Sequence, residues 1–309
     1  MAMTRPGIER LSHVVSGLQF DREMLESIFA RASALETVRD HRLDGRIMAA
    51  LFYEPSTRTR LSFESAMLRL GGSVIGTEAA RQFSSAVKGE TLEDTVRVID
   101  GYADVIVLRH DEAGAAERAA AVSRVPVINA GDGPGEHPTQ ALLDVYTIHM
   151  ELGRIDGLRV ALCGDMGQAR TTRSLALMLS LYDNLHITFV MPETCEPSAD
   201  VIDRLRERGV SFDIRHALDQ AIEDIDVVYL PRVQVERYAD PAERNRLEGR
   251  FRLTPELMTR VPSEAIIMTP LPRRDEIDVA VDADPRAAYF RQARNGVAIR
   301  MALLDMLLL

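Results

Sequence analysis

Short apolar runs recur along the chain, and most are followed by a stretch whose apolar residues have helical spacing. Such runs are typical of buried strands, and strands that alternate with helices form parallel sheets covered on both faces. The first half carries runs at residues 47–53, 73–75, 104–108 and 125–129. A second series follows at residues 158–163, 186–190, 211–214, 226–230 and 266–268. The pattern predicts an α/β fold with two doubly wound parallel-sheet domains.

A polar, glycine-bearing stretch at residues 151–157 separates the two series and is typical of a domain linker. We therefore predict a first domain over residues 1–150 and a second domain over residues 151–284. A helical pattern over residues 285–309 ends the chain, and its apolar face predicts a helix that packs back on the first domain. Further helices are predicted at residues 20–35, 61–70, 90–100, 138–150, 170–181 and 199–209.

Composition narrows the class of protein. Hydrophobic residues make up 46% and charged residues 27%, as in ordinary globular proteins. The net charge of −10 argues against a general nucleic-acid or membrane surface. Cys163 and Cys195 are the only cysteines, too few for a disulfide framework or a zinc cage, and we expect neither metal nor cofactor. The N-terminus has no long apolar segment, which favours a cytoplasmic protein.

The stretch from Ser56 to Arg60 places hydroxyl and guanidinium groups between a predicted strand and a predicted helix. Free N–H groups and the helix dipole favour an anion at such a turn. Donors on Ser56, Thr57, Arg58 and Thr59 would suit a phosphate or a carbamoyl oxygen. A capped helix start with solvent-facing arginines is the alternative. Two arginines among three hydroxyls favour the anion site.

Lysine usage points to a second feature. Of 37 basic side chains, Lys88 is the only lysine and the other 36 are arginine. It ends a stretch of small polar residues, including Ser84, that lacks periodicity and predicts a loop over residues 77–89. A surface loop without function is the alternative. Because an ammonium and a guanidinium differ in shape and hydration, a single retained lysine favours a functional loop.

Polar side chains also follow two later strands of the first half. Arg109 comes directly after the run 104–108, and His137 and Gln140 lie around the first turn of the helix predicted from residue 138. Ligands of open α/β sheets bind beyond the carboxyl ends of the strands, so these side chains are expected near the anion turn. A histidine at a helix start is often only a capping or packing residue, which is the alternative for His137.

The second half carries its own donors at strand ends. Arg170, Arg232 and Gln234 supply two guanidiniums and an amide, a set that suits a dicarboxylate. After the last predicted strand, prolines hold residues 269–273 extended, which leaves the carbonyls of this loop free to accept from an amino or amide group. The turn at residues 164–167 lacks the third glycine and the downstream acid of a dinucleotide site, which argues against nucleotide binding.

Four of these motifs, taken together, resemble those of the aspartate and ornithine carbamoyltransferases. They are Ser-Thr-Arg-Thr-Arg at 56–60, His-Pro-Thr-Gln at 137–140, Arg-Val-Gln at 232–234 and Pro-Leu-Pro-Arg at 270–273, and they run in the family's order. The first is shared by all transcarbamylases, whereas the last two favour aspartate as the second substrate. The ornithine-using relatives carry a cysteine in the last loop, and this chain has none there.

The resemblance implies a carbamoyl-group transferase of pyrimidine biosynthesis that uses carbamoyl phosphate and L-aspartate and needs no cofactor. It implies catalytic roles for Arg58, Thr59, Arg109, His137 and Lys88. The residues implied to hold carbamoyl phosphate are Ser56, Thr57, Arg58, Thr59, Arg109, His137, Gln140, Pro270 and Leu271. Those implied to hold aspartate are Lys88, Arg170, Arg232 and Gln234.

The same resemblance implies an assembly. Family members are trimers, and Ser84 and Lys88 would reach into the active site of a neighbouring subunit. Glu54, Glu236 and Arg237 match positions that bridge the two domains in the closed state. A regulatory chain or another enzyme of the pathway is a further partner that the resemblance allows.

Departures from the family pattern lie on the side of the second substrate. Thr269 replaces the usual histidine, Pro231 a threonine and Arg173 a histidine, and residues 167–168 are also unusual. One alternative is therefore a transcarbamylase for another acidic amino acid or amine. Another is a non-catalytic paralogue with a structural or regulatory role, against which the intact first-substrate motif argues.

Overall fold

The computed structural model describes residues 11–78, 89–164, 170–232 and 250–309. Two compact units make up the chain, one of Met1–Thr139 with Gly296–Leu309 and one of Gln140–Asn295. The sequence places the divisions near residues 150 and 285, at the ends of helices. The contacts instead place them inside two long helices, because each of these helices has its ends in different units.

The first unit is built on a four-stranded parallel sheet in the order β2-β1-β3-β4. Its strands are β1 Ile47–Phe52, β2 Ser73–Glu78, β3 Val105–His110 and β4 Val127–Asp132. Its helices are α1 Arg22–Leu35, α2 Thr57–Arg69, α3 Leu92–Ile99 and α4 Ala115–Val122. The apolar runs of β1, β3 and β4 are almost wholly buried, as expected of parallel strands with both faces covered. No residue of the edge strand β2 is buried.

The second unit contains a five-stranded parallel sheet in the order β7-β6-β5-β8-β9. Its strands are β5 Arg159–Cys163, β6 His186–Val190, β7 Ser211–Arg215, β8 Val227–Tyr229 and β9 Ile266–Met268. Its helices are α5 Pro138–Leu152, α6 Arg170–Leu179, α7 Ala199–Glu207, α8 Pro255–Met258 and α9 Tyr289–Leu308, of which α5 and α9 cross into the first unit. Short 3₁₀ turns occur at Gly17–Gln19, Leu218–Gln220 and Val279–Ala283.

The predicted fold class is confirmed, since both sheets are parallel and carry helices. The C-terminal helix is confirmed as well, and its last residues, Gly296–Leu309, belong to the first unit. Helix α4 was not predicted, because its sequence is mostly alanine and shows little contrast between faces. Strand β2 continues to Glu78, so residues 77 and 78, predicted as loop, belong to a strand.

The described part of the chain offers neither a membrane-spanning helix nor a cluster of metal ligands. None of the described helices is long and apolar enough to cross a membrane. Within the same ranges, no group of three or more histidine, cysteine, aspartate and glutamate side chains is placed to hold a metal ion.

Candidate functional site

The predicted anion turn lies between β1 and α2. Ser56 is the N-cap residue of α2, but its side chain makes no capping hydrogen bond. Thr57 and Arg58 are exposed, whereas Thr59 is buried on the inner side of the first helical turn. Within the described residues, the Ser56 hydroxyl thus leaves the first N–H groups of α2 uncapped, and the binding of an anion at this turn stays a prediction.

The two arginines of this motif have different surroundings. Arg60 Nε donates to Glu64 Oε1 at 2.7 Å, and its Nη1 donates to Glu78 Oε2 at 2.7 Å, so its charge is neutralised. In the part of the chain that the structure describes, no carboxylate lies within ion-pair distance of Arg58. Desolvation by the surrounding protein lowers the pKa of the Arg58 guanidinium, although much of its surface still meets solvent. An anion beside Arg58 would offset the free-energy cost of holding this desolvated guanidinium in its charged form.

Arg109 lies at the carboxyl end of β3, next to the anion turn. Strand β3 pairs with β1, and the N–H of Tyr53 donates to the Arg109 carbonyl at 2.8 Å. The guanidinium is largely buried; its Nη1 donates to the Ala130 carbonyl at 3.1 Å, and its Nη2 lies 3.4 Å from Glu54 Oε2. These contacts hold the guanidinium at the edge of the sheet where β1 and β3 end. Glu54 thus has a partner within the first unit.

His137 follows β4 and directly precedes α5. It is buried, and its Nδ1 lies 3.5 Å from the Thr139 hydroxyl. The turn before it is held by Asp132, whose carboxylate accepts from the N–H groups of Gly114 and Glu136 at 2.8 and 2.7 Å. Because β1, β3 and β4 are neighbours in one parallel sheet, the anion turn, Arg109 and His137 lie along the same edge of that sheet.

The described part of the second unit contains five of the predicted site residues. Gln140 is buried in the first turn of α5, and its Nε2 donates to Asp144 Oδ1 at 2.8 Å. Arg170 begins α6, and Arg232 follows β8; both are partly exposed. Both arginines therefore stand at the carboxyl side of neighbouring strands, β5 and β8, as the sequence predicts.

Pro270 and Leu271 follow β9 in a segment of irregular backbone. Leu271 has φ of 55°, a left-handed conformation that is uncommon for residues other than glycine, and the Leu271–Pro272 peptide bond is cis. The N–H of Leu271 approaches the Thr269 hydroxyl at 3.4 Å, and the N–H of Thr269 donates to Gln292 Oε1 at 3.0 Å. Thr269 is buried and so takes part in holding this turn.

Two other departures from the family pattern also have structural partners in the second unit. Arg173 Nη2 donates to Asp200 Oδ2 at 2.6 Å, which links α6 to α7. Pro231 is buried and packs close to Gly164. The substitutions at these positions are thus engaged in local packing, and they leave the arginines at 170 and 232 in place.

Several predicted residues lie outside the described ranges. Ser84 and Lys88 fall in the gap 79–88, and Gln234, Glu236 and Arg237 fall in the gap 233–249. Residues 167–168 are also outside. The roles assigned to them stay predictions.

Comparison with known proteins gives two family matches that together cover most of the chain. Residues 12–150 match the aspartate/ornithine carbamoyltransferase carbamoyl-P binding domain, and residues 156–307 match the Asp/Orn binding domain. The chloroplastic aspartate carbamoyltransferase of Arabidopsis thaliana is 55% identical over 304 residues, which are 96% of this chain and 78% of that protein.

Solved structures agree with this assignment. The catalytic subunit of Methanocaldococcus jannaschii aspartate transcarbamoylase is 46% identical with a TM-score of 0.90, covering 96% of this chain and 98% of that one. The Trypanosoma cruzi aspartate transcarbamoylase in complex with carbamoyl phosphate and aspartate is 41% identical with a TM-score of 0.90, covering 96% of each chain. With both family domains matched and such identities over nearly its whole length, the chain belongs to the aspartate/ornithine carbamoyltransferase family, among its aspartate carbamoyltransferases.

Proposed function

We propose that this enzyme transfers the carbamoyl group of carbamoyl phosphate to the amine of L-aspartate, giving N-carbamoyl-L-aspartate and phosphate. The observation that carries the proposal is the row of donors at the carboxyl ends of β1, β3 and β4. It contains a helix N-terminus whose N-cap Ser56 makes no capping hydrogen bond, the Arg58 side chain, which has no carboxylate partner among the described residues, the oriented guanidinium of Arg109 and the buried His137. Such a set fits a phosphate that bears a polar carbonyl group.

The chemistry requires electrostatic stabilisation rather than a strong base. The neutral amine attacks the carbamoyl carbon, negative charge develops on the carbonyl oxygen, and the bond to the phosphate oxygen breaks. Arg58, Thr59, Arg109 and His137 would stabilise that charge, and Gln140 would help to hold the carbamoyl group. The departing phosphate would accept the proton that the amine loses. Positioning of two bound substrates would supply much of the rate gain.

Aspartate is the proposed second substrate because two guanidiniums stand at the ends of β5 and β8. Arg170 and Arg232 would each bind a carboxylate, with Gln234 and Lys88 as further ligands. The carbonyls of Pro270 and Leu271 would accept from the carbamoyl amide and the attacking amine. A carbamoyltransferase for another acidic amino acid or amine is the second candidate, motivated by Thr269, Pro231 and Arg173.

The deciding experiment is ureido-product formation from carbamoyl phosphate and a panel of amino acids. Turnover that is selective for aspartate is the expected result. Turnover with another amine alone would retain the first-substrate site and refute the aspartate assignment. Carbamoyl phosphate binding without any turnover would favour a non-catalytic paralogue.

We further propose that the protein acts in pyrimidine biosynthesis as a homotrimer with shared active sites. Support for a second copy comes from the edge strand β2 and the helix α2 that packs on it. Leu61, Leu68 and Ile75 on these elements are exposed by 57%, 62% and 40%, which is typical of a surface that another chain covers. A regulatory chain stays a prediction. So does a cytoplasmic location, and the plant relative is named chloroplastic.

Mixing inactive chains tests the shared site. Lys88→Ala chains and Arg58→Ala chains, each of which impairs every site of its own trimer, should regain some activity in hybrid trimers, because one site in such a trimer can draw both intact residues from different chains. Confirmed hybrids that stay inactive would contradict a shared site. A monomeric protein by sedimentation would contradict the trimer itself.

A further inference from the structure

A buried carboxylate lies inside the second unit, among the segments that carry its predicted site residues. Asp144, on α5, has no exposed surface. Its Oδ1 accepts from Gln140 Nε2 at 2.8 Å and from Gln292 Nε2 at 2.6 Å, and its Oδ2 accepts from the Tyr229 hydroxyl at 2.8 Å. Burial of a carboxylate is costly unless donors surround it, so these bonds hold the donor side chains in defined orientations.

One branch of this network reaches the irregular turn after β9. Gln292 is buried on α9; while its amide nitrogen donates to Asp144, its Oε1 accepts from the N–H of Thr269. The Thr269 hydroxyl in turn lies next to the N–H of Leu271, whose backbone is in the left-handed region. Because that conformation needs outside support, the carboxylate contributes to the direction of the Pro270 and Leu271 carbonyls.

A second branch reaches the two segments that carry the predicted aspartate-binding arginines. Tyr229 ends β8, three residues before Arg232. Its hydroxyl, which donates to Asp144, also hydrogen-bonds the side chain of Thr171, the residue after Arg170. Burial and the charge of Asp144 raise the pKa of Tyr229 well above its usual range, so the phenol stays protonated and keeps donating. One phenol therefore joins the start of α6 to the end of β8.

We propose that Asp144 is a positioning residue that aligns the aspartate-binding arginines and the carbonyl-bearing turn with the amide of Gln140. The inference rests on the proposed function. Asp144 would touch no substrate; it would act through Tyr229 on one side and Gln292 on the other. Four segments that are far apart in the chain would thereby take their orientation from one carboxylate.

The two branches give different kinetic signatures. Tyr229→Phe removes one hydroxyl and should raise the KM for aspartate about tenfold, the usual effect of losing a hydrogen bond to a charged group, with a smaller change in kcat. Gln292→Met severs the link to Thr269 and should lower kcat about tenfold, with a smaller change in KM. Asp144→Asn keeps the shape of the side chain and one oxygen that can accept from the amides of Gln140 and Gln292. Its kinetic effect should therefore resemble that of Tyr229→Phe. The double variant Asp144→Asn with Tyr229→Phe should change the KM for aspartate by less than the product of the two single changes.

Ser180→Ala is the matched control for a purely structural role. The Ser180 hydroxyl is buried in the same unit and donates to the Leu177 carbonyl at 2.6 Å, outside the network. This variant should lower the melting temperature without changing either kinetic constant. Carbamoyl phosphate affinity, measured by calorimetry, should stay within about twofold of wild type in Tyr229→Phe, which shows that the fold is intact.

The outcomes separate the two proposals. Wild-type protein that forms no carbamoyl aspartate would refute the proposed function and the positioning role with it. Active wild type, with Tyr229→Phe and Gln292→Met both indistinguishable from Ser180→Ala in kcat and KM, would refute the positioning role alone. Equal losses in kcat and in both substrate affinities for every network variant would likewise assign Asp144 to fold stability only.

Discussion

Arg58→Ala should weaken carbamoyl phosphate binding while leaving the free energy of unfolding nearly unchanged. Within the described ranges, the Arg58 side chain has no carboxylate partner, so its removal leaves no described carboxylate without an ion-pair partner. The same removal takes away the guanidinium of this turn that pairs with no carboxylate in the described part of the chain. The effect should therefore appear in binding and not in stability.

The magnitude follows from the kind of contact that is lost. A hydrogen bond between charged groups contributes about 1.5–3 kcal/mol, and each 1.4 kcal/mol corresponds to about tenfold in affinity. The Kd for carbamoyl phosphate should therefore rise by roughly tenfold to a hundredfold.

Arg60→Ala supplies the matched control, since it removes the same side chain two residues later. The Arg60 side chain is 27% exposed and pairs with Glu64 and Glu78, whose side chains are 23% and 44% exposed. Partly exposed pairs contribute about 0.2–1 kcal/mol each, so this variant should lose a little stability and keep its affinity.

Titration calorimetry with carbamoyl phosphate and urea unfolding, run on both variants, form the assay. The expected pattern is opposite in the two proteins: affinity falls in Arg58→Ala, and the unfolding midpoint falls in Arg60→Ala. Equal losses of carbamoyl phosphate affinity in the two variants would show that Arg60 contacts the anion despite its ion pairs. An unchanged Kd in Arg58→Ala would refute the assignment of the turn as the phosphate site.

Two further predictions concern stability. Gly76→Ala should destabilise the protein by about 1–3 kcal/mol in urea unfolding, because the added methyl would lie 2.5 Å from the Ala50 carbonyl oxygen; Gly101→Ala, whose nearest contact would be 3.4 Å, should cost little. Asp282→Asn should also destabilise, because Arg273 holds the pKa of Asp282 below its usual value. That stabilisation is complete above the unfolded carboxyl's pKa of about 3.9 and is lost as the pH falls through the folded value, so the gap between wild type and variant should close below about pH 4 and stay open at pH 7.

The local pattern of the sequence was sufficient for most of the fold. Strands β6 and β9 were predicted with the bounds that the structure shows, because both are short segments rich in apolar, aromatic or β-branched residues, as buried parallel strands are. The position of the predicted anion turn between a strand and a helix followed from the same local pattern, and its role as an anion site stays a prediction. Helix α4 was missed because a run of alanines gives no apolar face to detect.

The ion pairing of the arginines at the turn could not be fully predicted from the local sequence. Arg58 and Arg60 belong to the same motif, and they differ in the structure partly because Glu78, the last residue of β2, pairs with Arg60. Glu64 is a local partner of Arg60 at a spacing of four residues, and that part of the difference could have been predicted from the helix. The contribution of Glu78 depends on the pairing of β2 with β1 and on the packing of α2 against that strand.

The hydrogen-bond partners of Asp144 are even harder to predict from the local sequence. The sequence offers a carboxylate four residues after Gln140 in a mostly apolar helix, which is compatible with an exposed position on the helix surface. Its other donors, Tyr229 and Gln292, are 85 and 148 residues away, so no spacing rule connects them. A charged residue within an apolar helical stretch is nevertheless a usable signal, because a carboxylate is buried only where several donors converge on it. Convergence of donors from separate segments is also what a site needs in order to fix the geometry of its ligands, so such residues are sensible first candidates for positioning roles in chains of this architecture.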